Sequence, residues 1–220
     1  MELLAWFADL FLHFVDFVLH LDVHLVELLR DFGVWIYLIL FAIVFAETGF
    51  VVTPFLPGDS LLFAAGALAA VDTSQTLSPL WLSVTLISAA ILGNTTNYHI
   101  GRWIGPPAFS GRYRFLKVEY LRRTEDFFQK WGAWTIVMSR FAPIIRTCAP
   151  FVAGIGRMPY ARFQTSNVLG GLAWVLIFIW AGYFFGNIPL IKDNFGLVTI
   201  GIIVLSLVPV AWVALRKQGM

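Results

Sequence analysis

Charge is what this chain has least of. Only 13% of its 220 residues are Asp, Glu, Lys or Arg, about half the share an ordinary soluble domain carries. With 59% hydrophobic residues and a mean hydropathy of +0.80, a chain of this size cannot hide its apolar surface from water. The same numbers exclude disorder, which needs low hydrophobicity and high charge. Cysteine is nearly absent: Cys148 stands alone, and a disulfide scaffold is excluded. The start lacks a basic region and a small-residue cleavage site, so no cleavable signal peptide is expected. What remains is an all-α polytopic membrane protein, a single membrane domain over residues 1–220.

The few charges are unevenly placed. Residues 1–31 hold six acids (Glu2, Asp9, Asp16, Asp22, Glu27, Asp31) against one base, Arg30. Residues 102–130 hold seven bases (Arg102, Arg112, Arg114, Lys117, Arg122, Arg123, Lys130) against three acids. Arg216 and Lys217 sit near the end. Loops rich in Lys and Arg stay on the cytoplasmic side, which puts the basic loop 102–131 and the C-terminus inside and the acidic start outside. Such a loop reads as a topology signal facing anionic headgroups, and no nucleic-acid partner is expected.

Residues 1–31 read as an amphipathic helix. Asp9, His13, Asp16, His20, His24, Glu27 and Asp31 form a polar stripe opposite Phe7, Leu10, Phe14, Leu21, Leu25 and Leu28. His20 and His24 lie four apart near Asp16 and Glu27, but an isolated stripe of this kind is a wetted face, and no metal or cofactor is expected. Residues 79–101, 163–186 and 195–215 read as transmembrane helices, each about as long as a bilayer crossing requires.

Two other apolar stretches, over 33–70 and 132–154, are interrupted. The first meets Glu47 and then TGFVVTPFLPGD; the second meets Arg140 and then FAPIIRTCAPFVAG. Proline removes a helical hydrogen bond and clashes with the preceding turn, so Pro54, Pro57 and Gly58 should break the first and Pro143 and Pro150 the second. Broken backbone at membrane depth survives only inside protein or beside water. Each stretch therefore reads as a re-entrant hairpin. Thr53–Gly58 matches Ala149–Gly154 in pattern, and the charge bias has the hairpins enter from opposite faces. The fold expected is an inverted repeat of hairpin plus transmembrane helix, with an extra C-terminal helix, and a site near the midplane.

Glu47, Asp59, Arg140 and Arg146 stand in that apolar sequence. Unpaired, four such charges would cost on the order of 10 kcal/mol, so they must pair, line water or bind something charged. An ion-pair network is one reading. The other is a site, in which the guanidinium groups of Arg140 and Arg146 hold phosphate while Glu47 and Asp59 pair with them or take up protons. Pro143 breaks the helix between the arginines and lets them converge. Asn94, Asn97 and Tyr98 either add uncharged hydrogen bonds to a polar lining or bond helix to helix; the second is the simpler reading.

FAETGFVVTPFLPGDSLLFAAGALA (45–69), NYHIGRWIG (97–105) and SRFAPIIRTCAPFVAGIGRM (139–158) resemble the DedA family of bacterial inner-membrane proteins over nearly the whole chain. The resemblance implies opposed re-entrant hairpins, an inner-membrane location, and return of undecaprenyl phosphate, a polyprenyl phosphate carrier, to the cytoplasmic leaflet with dependence on the proton motive force. In the family motif the acidic pair and the two arginines are the functional residues, matching Glu47, Asp59, Arg140 and Arg146. The chain departs from the pattern at Asn94, where many members carry an acid, and this bears on proton coupling. The expected function is thus a flippase for a lipid phosphate, with membrane lipids and protons as partners and the oligomeric state open. The alternatives are a proton or cation exchanger and a lipid-phosphate phosphatase. The last would need a histidine nucleophile, yet none of His13, His20, His24 and His99 follows the arginines.

Overall fold

The computed structural model describes residues 20–50, 58–108, 132, 134–192, 194–202 and 204. Among these there is no strand. The helices are α1 (Leu21–Phe32), α2 (Ile36–Gly49), α3 (Gly58–Val71), α4 (Pro79–Ala108), α5 (Trp134–Ser139), α6 (Pro143–Ile155), α7 (Tyr160–Phe185) and the short α8 (Pro189–Lys192); residues 195–202 are also helical.

α1 buries Leu21 and Leu25 against α3, while Glu27, Arg30 and Asp31 are exposed. Residues 1–19 of the amphipathic stretch lie outside the described residues. Gly33 ends α1 at φ +52°, a left-handed conformation that glycine adopts without a Cβ penalty. A single 3-10 turn, Gly33–Trp35, then leads into α2. Leu21–Gly49 is consequently one of three apolar helical stretches among the described residues that are long enough to cross a membrane, with Pro79–Gly105 and Tyr160–Phe185. The last two match the expected spans, although α4 continues to Ala108, past the expected end at 101. Leu21–Gly49 was expected as an amphipathic helix followed by a hairpin limb. Of the expected span 195–215, only 195–202 and 204 are described.

α3 and α6, with 14 and 13 residues, are about 20 Å long at 1.5 Å per residue, shorter than the hydrocarbon core of about 30 Å. Gly58 opens α3; Pro54 and Pro57 lie outside the described residues. In the second interrupted stretch the break falls at residues 140–142, between α5 and α6. Ala142 is extended, at φ −127° and ψ 105°, and Pro143 occupies the first turn of α6, as expected of a residue held out of the helical region by the proline after it. Pro150 does not break the hairpin, contrary to the sequence reading. α6 passes through it, and the buried surroundings of Pro150 supply the packing that lets a helix tolerate one missing bond.

The chain divides into two compact units. One comprises Met1–Tyr37, Pro57–Ser83 and Ile177–Met220; the other comprises Leu38–Leu56 and Val84–Leu176. In the first, α3 and α7 meet through glycine. A Cβ on Gly66 would lie 2.0 Å from the Ile179 carbonyl oxygen, and one on Gly182 would lie 2.0 Å from that of Phe63. In the second, α4 and α6 meet the same way: Gly101 faces the Phe151 oxygen and Gly154 the Tyr98 oxygen, each at 2.1 Å for the added Cβ. Small residues let helix backbones approach closely where lipid provides no hydrophobic drive. The shared crossing equates Gly66 with Gly154, and Phe63 with Phe151. That is a different register from the Gly58 to Gly154 match of the motifs.

Candidate functional site

Three of the four charges of interest belong to the second unit. Glu47 is near the end of α2, Arg140 follows α5, and Arg146 is in α6; their exposures are 1%, 0% and 2%. Arg146 Nη2 donates to Glu47 Oε1 at 2.5 Å, a charge-assisted bond between groups 99 residues apart in the chain. One side chain braces the pair from α4. The Asn97 amide donates to the Thr48 carbonyl at 3.1 Å and to the Thr147 carbonyl at 2.8 Å, tying the residue after Glu47 to the residue after Arg146.

Arg140 has a different setting. Its Nη2 donates to Asn167 Oδ1 at 2.6 Å and to the carbonyls of Asn167 and Ala90 at 3.3 Å. All three acceptors are neutral. Nε and Nη1 of Arg140 are buried and have no hydrogen-bond acceptor among the described residues. The break before Pro143 brings both guanidinium groups over Trp174, whose ring centre lies 4.7 Å from Arg146 Cζ and 5.9 Å from Arg140 Cζ. Contacts of this kind between a desolvated cation and an aromatic face are worth about 2 kcal/mol.

Asp59 belongs to the first unit. It is 4% exposed in the first turn of α3, where a carboxylate is favoured by the unsatisfied N–H groups of a helix start. The first unit also holds a cleft of about 300 Å³ with a mainly apolar lining between α1 and α3, and none of the four charges lines it. The remaining candidates are structural. Tyr98 donates to the Met158 carbonyl, accepts from Arg102 Nη1 at 2.9 Å and stacks on Phe163 with ring centres 4.3 Å apart. Asn97 thus bonds helix to helix, and Tyr98 bonds α4 to the link between α6 and α7. Asn94 is buried, and its Oδ1 has no hydrogen-bond partner among the described residues.

Asn167 and Trp174 escaped sequence reasoning because they lie in a charge-free stretch that reads as a plain span. The signal was present. Asn167, Gly170, Gly171 and Trp174 recur at the spacing of one helix face, and a polar run, Gln164–Asn167, opens the segment.

The VTT domain model matches residues 56–184. Protein DedA of Escherichia coli (strain K12) is 52% identical over 202 residues, which cover 91% of this chain and 92% of the relative. The chain belongs to the DedA family. Inner membrane protein YghB of Escherichia coli (strain K12) is 36% identical over 180 residues, 81% of this chain and 78% of the relative. An uncharacterized membrane protein of Mycobacterium tuberculosis (strain ATCC 25618 / H37Rv) is 43% identical over 169 residues, 76% of this chain and 73% of the relative. No solved structure matches. As a DedA-family chain with three helical stretches able to span, it is a membrane protein, and the buried arginine cluster lies within the part that the VTT model covers.

Proposed function

We propose that this chain is a transporter that moves a lipid phosphate, undecaprenyl phosphate first among them, between the leaflets of the bacterial inner membrane, coupled to protons. Arg140 and Arg146 bind the phosphate while the polyprenyl tail stays in lipid, and Glu47 and Asp59 serve as the proton-coupling or ion-pairing carboxylates. The single observation that carries this reading is the pair of buried guanidinium groups over Trp174, one of them bonded, among the described residues, to neutral oxygens. A membrane interior tolerates such a charge where it meets an opposite one, and phosphate is the anion that guanidinium holds best.

The inverted-repeat, re-entrant reading belongs to the same proposal. Support comes from α3 and α6, both too short to cross alone, and from the like glycine crossings of the two units. Motion of the hairpins would expose the site to each leaflet in turn. A cation exchanger is disfavoured by the bond between Glu47 and Arg146, because a carboxylate held by guanidinium is a poor cation ligand. The chemistry supports transport rather than phosphatase action, since no histidine follows the arginines in the sequence to serve as a nucleophile.

The test is leaflet exchange of a fluorescent polyprenyl phosphate in proteoliposomes. Arg140→Ala and Arg146→Ala each reduce exchange about tenfold or more. Normal exchange in both would remove the role proposed for them. Ion flux in vesicles free of lipid phosphate would favour the exchanger, and inorganic phosphate released from undecaprenyl diphosphate would favour the enzyme.

A further inference from the structure

The two arginines are not equivalent. Arg146 is neutralised by Glu47 at 2.5 Å. Arg140, fully buried, is bonded among the described residues to the neutral oxygens of Ala90 and Asn167. Of the five N–H groups of a guanidinium, the three on Nε and Nη1 of Arg140 find no acceptor among the described residues. A buried cation in this state carries a large desolvation penalty, and only an anion offsets it fully.

The seat of Arg140 is one face of α7. Beside Gly170, an added Cβ would lie 3.1 Å from Arg140 Cδ and 3.3 Å from Nε; beside Gly171 it would lie 3.4 Å from Nη2. The guanidinium therefore lies along bare backbone, with Trp174 one turn further on. Asn167 is itself oriented: its Nδ2 donates to the Ile91 carbonyl at 3.0 Å and to Thr95 Oγ1 at 3.2 Å. Those bonds turn Oδ1 toward Arg140. An aspartate would fill the same volume and would close Arg140 into a second ion pair, as Glu47 does for Arg146.

We infer that Arg140 is the cation kept open for the anionic headgroup, and that Asn167 is the positioning residue that aims Arg140 while leaving its charge uncompensated. This inference rests on the lipid-phosphate reading and deepens it: the headgroup must bring a negative charge to Arg140, so a phosphate amphiphile binds and the corresponding alcohol does not.

The experiment titrates dodecyl phosphate into the purified full-length protein by calorimetry, with dodecanol and dodecyltrimethylammonium as controls, and follows liposome exchange in parallel. Asn167→Ala removes the acceptor for Arg140, and Asn167→Asp keeps an acceptor there while removing the net charge and the Nδ2 bonds to Ile91 and Thr95. Affinity is expected to fall in the order wild type, Asn167→Ala, Asn167→Asp, with the last about tenfold or more below wild type. A purely structural role exchanges the two variants, with Asn167→Asp above Asn167→Ala, because the aspartate keeps the shape and a bond to Arg140. Should Asn167→Asp not fold, Gly170→Ala, whose Cβ would lie 3.1 Å from Arg140 Cδ and 3.3 Å from Nε, crowds Arg140 without changing charge and weakens dodecyl phosphate binding about threefold. Wild-type affinity in whichever of these variants folds overturns the inference while wild-type exchange still supports the lipid-phosphate reading. A wild-type protein that neither binds nor exchanges phosphate amphiphiles overturns both.

Discussion

Glu47 and Arg146 illustrate how a buried setting treats charge at the scale of one residue. Removing one partner of a buried ion pair leaves the other uncompensated, which costs about 3–5 kcal/mol, whereas replacing both by apolar groups of similar size is often neutral. Glu47→Leu should therefore destabilise the protein by that amount in unfolding from mixed micelles. Glu47→Leu combined with Arg146→Met should recover most of the loss. A loss in the double variant equal to the sum of the losses in Glu47→Leu and Arg146→Met would mean that the pair bears no coupling energy. Tyr98→Phe is expected to lose about 1 kcal/mol or more, since it removes the bond to Met158 and leaves that carbonyl unpaired in a buried place, while the stack on Phe163 survives. Of the residues involved here, the four charges were legible because charge in apolar sequence is rare. Asn167 was not, because a neutral amide in a span raises no alarm until a buried guanidinium is seen beside it.

At the scale of elements, glycine decides which helices touch. Gly101→Ala and Gly154→Ala would each drive a methyl into a backbone oxygen at 2.1 Å, and Gly66→Ala and Gly182→Ala would do so at 2.0 Å. Backbone cannot rotate aside as a side chain can, so each should cost about 1–3 kcal/mol. Gly201 meets nothing within 4 Å, and Gly201→Ala should instead stabilise its helix by about 0.5–1 kcal/mol. Thermal unfolding of the set in one detergent checks the contrast; uniform effects would mean that the crossings are not close. The link between α3 and α4 is held by Asp72, which accepts from Ser74 N at 2.9 Å, from Ser74 Oγ at 2.5 Å and from Leu77 N at 2.8 Å. Burial acts to raise the Asp72 carboxyl, but the Ser74 hydroxyl and the backbone N–H groups of Leu77, Ser74 and Thr76 outweigh it and hold it below its ordinary value of 3.8. The sign follows: the loop's contribution is full above 3.8 and is lost as pH falls through the lower folded value. Exchange of the Ser74 and Leu77 amides should therefore accelerate only below pH 3.8 in wild type, and at all pH values in Asp72→Ala. Helix positions were readable from hydrophobic runs, and the break before Pro143 from proline stereochemistry. The passage of α6 through Pro150 was not, because tolerance of a missing bond depends on what surrounds the helix.

At the scale of the whole molecule, the charge bias makes a topological prediction. Single cysteines placed at Arg112 or Arg122, in a Cys148→Ala background, should react with an impermeant maleimide only after the cytoplasmic side is opened, and a C-terminal tag should behave likewise. Labelling from the outer face would reverse the orientation and, with it, the faces from which the hairpins are proposed to enter.

The amino-acid sequence by itself pointed to a helical membrane protein and to the four charges that stand out in apolar sequence. Those properties follow from local composition, from proline and glycine stereochemistry, and from the free energy of transferring charge into lipid. Only the tertiary structure decided that Arg146 belongs to Glu47, that Arg140 rests on neutral Asn167, and that glycine crossings join α3 to α7 and α4 to α6. The physical reason is distance along the chain. Glu47 and Arg146 are 99 residues apart, and no local preference selects one partner among two arginines; that choice is made by helix packing, which depends on every contact at once.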